Sequence, residues 1–71
     1  MSRREYQMSQ RIAAAAGGEF YAVIMAAMRL ADTGNLVKLR EAFPEIWIEL
    51  DERYNAPAGI LPGDPEAAQH A

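Results

Sequence analysis

Leu36, Leu39, Phe43, Ile46, Trp47, Leu50 and Tyr54 recur at intervals of three and four residues, the spacing of one face of an α-helix. The pattern runs unbroken through Pro44, a residue that removes a backbone donor and clashes with the preceding helical turn. The spacing therefore predicts either a helix kinked at Pro44 or two nearly collinear helices, the second opening with Pro44 at its first position. Either way one continuous apolar stripe has to be covered by a neighbour. A strand over the alternating residues of "EIWIEL" is the rival reading, because Ile46, Ile48 and Leu50 are spaced for it. No other segment offers a partner strand, and an isolated strand is not stable.

The neighbour is found in residues 19–33. At about 100° per residue, Phe20, Val23, Ile24, Ala27, Leu30 and Ala31 form one apolar strip, and Tyr21, Met25 and Met28, ending at Asp32, form a second. Glu19, Ala22, Ala26, Arg29 and Thr33 form the third. A helix apolar over two of three strips is a central one, packed on both sides. The first strip is expected to meet the Leu36-to-Tyr54 stripe. The second, Tyr21, Met25 and Met28, has no obvious cover within 71 residues and is expected to be the seam of a homodimer.

The remaining segments are connectors and ends. In "DTGN", Gly34 is expected to close the central helix and Asn35 to cap the next. Residues 2–16 hold four successive alanines and no glycine or proline, a helix-forming composition with a thin apolar face of Met8, Ile12 and Ala15. Gly17-Gly18 then favours a break, a helix running straight through being the alternative. From Asn55 onward three prolines and two glycines mark an irregular tail. Within it Ile60 and Leu61 are expected to fold back as a plug on the core, or else to serve as a short linear contact for a partner. The expected architecture is an all-α domain of three or four helices over residues 1–54, kinked or split at Pro44, with a partly disordered Pro/Gly-rich tail over 55–71.

Chemistry-bearing side chains are sparse. There is no cysteine, and the single histidine, His70, stands next to the last residue, so neither a thiolate site nor a histidine cluster for a metal can be assembled. Ser2 and Ser9 fall in an exposed-looking helix without a base. Glu45 and Glu49 share an outward helix face where water keeps both ionised, unlike the split pair that acid-base catalysis uses. The pair Gly17-Gly18 lacks the preceding strand and the lysine of a phosphate loop. No enzyme, no cofactor and no metal is expected. The alanine-rich stretch after Arg11 superficially resembles a membrane span, but Glu19 interrupts it, and a soluble cytoplasmic protein is the expectation.

Charge is divided along the chain. Residues 1–40 carry six basic and three acidic groups, net +3, while residues 41–71 carry one basic and seven acidic groups, net −6. Such a dipolar chain can pair with itself or offer its acidic end to a basic partner. Ile48 points away from the stripe among Glu45, Glu49, Asp51 and Glu52. A side chain that desolvates on contact, rimmed by charges that steer, describes a small interaction surface. These features predict a non-enzymatic interaction module, an adaptor or inhibitor that occupies a basic surface on a larger protein. Small inhibitors encoded by phages or other mobile elements and directed at host defence or regulatory proteins share this size and charge, an analogy with no motif behind it. The alternative is a small DNA- or RNA-binding regulator using Arg3, Arg4 and Arg11. "LADTGNLVKLREAF" has a loose helix-turn-helix spacing, but its second helix carries Glu41 and leads into further acids that repel phosphate, which counts against nucleic acid.

Overall fold

Ser2 and Glu5 open the first helix. The Ser2 Oγ accepts from the Glu5 N–H at 3.2 Å and donates to the Glu5 carboxylate at 3.2 Å, a side-chain arrangement related to the capping box. The computed structural model describes residues 2–69, and His70 lies outside the described residues. Helix α1 (Arg3–Ala16) runs through the alanines and stops at Gly17, whose φ of 57° and ψ of 32° place it in the left-handed region. Gly18 follows at φ 91°. Two successive positive φ angles are readily adopted by glycine and costly for any other residue, so the pair is a turn and the straight helix is excluded.

Helix α2 (Phe20–Leu30) is shorter than the periodicity predicts. Ala31 is extended, and Asp32, not Asn35, caps helix α3 (Thr33–Ala42). The Asp32 Oδ1 accepts from the Asn35 N–H at 2.8 Å, which places Thr33 and Gly34 inside the first turn. The expectation that Gly34 ends α2 and Asn35 begins α3 is therefore corrected. An aspartate at the N-cap satisfies a free amide with a full negative charge at the positive end of the helix.

Pro44 splits the long stripe into two helices, as one of the two readings of the sequence requires. The residue before a proline is driven out of the α region, and Phe43 sits at φ −133°, ψ 65°. Its N–H still bonds to the Leu39 carbonyl at 2.8 Å, and its carbonyl accepts from the Trp47 N–H at 3.1 Å. Helix α4 (Pro44–Asn55) thus starts with Pro44 at a position whose N–H would have had no helical partner. A 3-10 turn, Pro57–Gly59, and a second, Pro65–Gln69, complete an all-helical chain with no strand among the described residues.

Packing is thin. Helices α2, α3 and α4 pack against one another, and Met28 at 3% and Leu50 at 7% exposure are the buried apolar side chains among the described residues. Phe20 meets Phe43 edge to face at 6.1 Å, which joins the start of α2 to the α3–α4 junction. Met28 is thus enclosed within one chain and is not part of an open seam with Tyr21 and Met25. Leu30 and Tyr54, assigned to the inner stripes by periodicity, are 84% and 78% exposed. Helix α1 touches only α2, near the turn, where Ala13, Ala16, Gly18, Phe20 and Val23 gather. No α1 residue is buried. The described body extends 48 × 26 × 16 Å with a radius of gyration of 14.6 Å, against about 11 Å for a compact chain of this length.

Leu50→Ala is expected to cost about 2–5 kcal/mol by opening a cavity in this core, a large share of the order of 4–10 kcal/mol available to a chain this size. Val37→Ala, at an exposed position of α3, is expected to change stability by less than about 0.5 kcal/mol. Urea denaturation followed by circular dichroism reads both, and equal losses would show that Leu50 is no more tightly packed than Val37.

Candidate functional site

The ends of α2, α3 and α4 leave an apolar groove of about 390 Å³. Its lining includes Met28 and Leu50, the two core residues, together with Leu36, Trp47 and Tyr54. Trp47 is held in place by Arg40 of α3, whose guanidinium carbon lies 4.9 Å from the ring centroid. Arg29 from α2 and Asp51 from α4 supply one charge of each sign to the lining. Leu30, between the lining residues Arg29 and Ala31, projects into solvent, as does Tyr54. Both sit here because α2 ends at Leu30, so the helix and its covering neighbours run out together.

This groove was not among the sites read from the sequence. Periodicity assigns Trp47, Leu50 and Tyr54 to one inner stripe and cannot tell a filled seam from one left partly open. The signal available was the length of the stripe, which outruns the 11 residues of α2 that must cover it.

Ile48 lies where the sequence places it, outward and 54% exposed. Its acidic surroundings are divided by their partners. Glu49 accepts from Arg53 Nε at 3.2 Å, one turn along. The Asn55 side-chain amide donates to the Asp51 backbone carbonyl at 2.8 Å and to its carboxylate at 3.5 Å, and Asp51 also lines the Trp47 groove. Glu45 and Glu52 are left without an ion partner among the described residues. On α2, Tyr21 is exposed and joins Phe43, Glu45 and Ile46 around a shallow hollow, while Met25 is half-buried. On α1, Arg3, Arg4 and Arg11 are all exposed and form no ion pair among the described residues.

Arg53 organises the tail, a role that the sequence did not disclose. One nitrogen of its guanidinium donates to Asp64 Oδ2 at 2.6 Å and to the Gly59 carbonyl at 2.8 Å, and the other donates to Asp64 Oδ1 at 3.1 Å. Asp64 also accepts from the Leu61 N–H at 2.9 Å. The turn between them is tight enough to hold Ala58 at φ 56°, a left-handed conformation costly for a residue with a Cβ. Ile60 and Leu61 are half-buried, and they gather with Ala56, Pro57, Pro62 and Ala67 in a cluster of the tail's own side chains. The fork from Arg53, then the Leu61 N–H, hold the Asp64 carboxyl at about 2, below its ordinary 3.8. Hydrogen bonds to Asp64 and then Glu49 raise Arg53 further above its already high value.

Among the described residues no group of three or more metal-ligating side chains comes together, and no helix is long and apolar enough to cross a membrane. No protein-family model, curated protein or solved structure matches this chain.

Because Asp64 has its value depressed on folding, its contribution is fully present above pH 3.8 and is lost as pH falls towards about 2. The Leu61 amide resonance, and that of Ile60 on the far side of the Gly59 carbonyl, are expected to stay constant from pH 7 to about 4 and then to shift together with a midpoint near 2. A midpoint at the ordinary carboxylate value would mean that the Arg53 fork is open in solution.

Proposed function

We propose that this chain is a small non-enzymatic interaction module, an adaptor or inhibitor that acts by occupying a surface of a larger protein. The observation that carries the reading is the Trp47 groove: an aromatic-walled depression with the exposed Leu30 and Tyr54 beside it. Tryptophan, tyrosine and arginine are the residues that most often dominate binding energy at protein interfaces, and all three line this groove. Its 390 Å³ accommodates one or two apolar side chains of a partner. Arg29 and Asp51 would fix the orientation of the incoming segment, since each rejects a like charge placed against it.

The exposed area also supports the reading. The chain exposes 5964 Å², where a compact protein of its mass exposes about 4,400 Å². A surplus of about 1,500 Å² exceeds the roughly 800 Å² that each side gives to a standard protein interface. The alternative, nucleic-acid binding through Arg3, Arg4 and Arg11, draws on α1 alone. The acids of α4 would repel a phosphate backbone that came near them.

Tyr54→Asp, a change at a mostly exposed position, is expected to leave the helical circular dichroism spectrum and melting temperature nearly unchanged. It is expected to abolish capture of a discrete protein partner from a native lysate, read by mass spectrometry. An Arg3→Ala/Arg4→Ala/Arg11→Ala variant is expected to retain that partner. Salt-dependent retention on duplex DNA that disappears in the triple variant, with no protein partner found, would replace this reading by the nucleic-acid one.

A further inference from the structure

Two exposed helix faces in this chain complement each other. On α1, Arg4, Met8 and Arg11 lie on one side, a basic, an apolar and a basic residue, with Ile12 extending the apolar stripe. On α4, Glu45, Ile48 and Glu52 lie on the outward side, an acidic, an apolar and an acidic residue. Met8 and Ile12 are each 44% exposed and Ile48 is 54% exposed. Both pairs of charges are seven residues apart, two helical turns or about 10.5 Å. Laid antiparallel, α1 and α4 bring Arg4 opposite Glu52, Met8 opposite Ile48 and Arg11 opposite Glu45 in a single register. Neither pair of acids nor pair of arginines is engaged elsewhere among the described residues, whereas Glu49 is held by Arg53.

The two faces do not meet within one chain, because α1 contacts only α2. We propose that two copies of this chain form a homodimer by exchanging arms, each α1 lying antiparallel across the outward face of the other copy's α4. A twofold axis makes the contact twice over, as isologous dimers do. Charge complementarity selects a second copy as the occupant, and the length of the arm and the exposed area are compatible with it. The charge of the arm, net positive, matches that of the α4 face, net negative, at the same spacing. A 14-residue helix that stands away from the body is marginal on its own in water and gains from a partner along its length. The surface in excess of a compact chain, about 1,500 Å², falls within what each subunit of a stable dimer buries.

Pairing of α1 with its own counterpart is disfavoured by the same charges, since it sets arginine against arginine. The seam formed by Tyr21, Met25 and Met28 is replaced, because Met28 is already inside. The antiparallel arrangement also places each helix end beside the opposite dipole of its neighbour.

Charge reversal tests the register. Sedimentation equilibrium of the full chain at micromolar concentration and low salt is expected to give the mass of two chains. Arg4→Glu/Arg11→Glu alone, and Glu45→Arg/Glu52→Arg alone, are each expected to give the mass of one chain while keeping the helical spectrum. An equimolar mixture of the two variants is expected to return to the mass of two, because both contacts are then attractive again. A wild-type mass of one chain would overturn the proposal, and so would variants that remain dimeric. Folded variants whose mixture stays monomeric would overturn the register itself. Met8→Glu is expected to dissociate the dimer without altering the Trp47 groove, so capture of a larger partner by that variant separates failure of the dimer from failure of the proposed function.

Discussion

The contact of α2 with α4, centred on Met28 and Leu50, carries most of the structure that links residues distant along the chain. The rest is local: helix hydrogen bonds, caps and turns. A fold with so few distant contacts closes short loops at little entropic cost, so it is expected to form quickly, while its stability hangs on a handful of side chains. Pro44 is what makes that contact possible. A straight helix from Thr33 to Asn55 would run about 34 Å past an α2 only about 16 Å long. The break at Phe43 instead lets α3 and α4 each reach α2, and it sets Phe43 against Phe20 where the three helices converge.

Much of this was legible in the sequence, for a reason that can be stated. A helix of period 3.6 imprints itself on the spacing of apolar residues whenever one side is buried, and the Leu36-to-Tyr54 stripe and the strips of α2 record that imprint. Gly17-Gly18 and Pro44 were readable because their backbone restrictions are intrinsic. The "DTGN" connection is ambiguous in sequence because Gly34 and Asn35 satisfy general preferences for helix ends, while Asp32, an equally good cap, lies just upstream. Local preferences of similar size compete there, and the hydrogen bond to the Asn35 amide decides.

What periodicity misses is termination. Leu30 and Tyr54 belong to inner stripes by angle yet stand in solvent, because a stripe is buried only as far as its neighbour extends. The groove beside Trp47 is the same fact seen from the other side. Arg53 was hidden differently. Its partner Asp64 lies eleven residues away in a segment rich in proline and glycine, and on α4 the arginine looked like one more solvated charge. Only the folded tail, with Gly59 and Leu61 adding their backbone groups, turns that pair into a four-way junction.

The groove and the outward face of α4 occupy different sides of one helix. Trp47, Leu50 and Tyr54 project roughly 100–160° around the axis from Ile48. Asp51 lies between the two faces and belongs to the groove. An arm laid over Ile48 therefore leaves the groove open, and a twofold dimer presents two grooves in fixed relation. For a module of this size that changes the energetics of capture. A target that carries two matching segments, once engaged at one groove, would meet the second at an effective concentration set by the rigid spacing rather than by the solution. A target with a single such segment would gain nothing from the second groove, so on the proposed reading one groove has to hold it alone, and the dimer adds affinity only where the target repeats the segment.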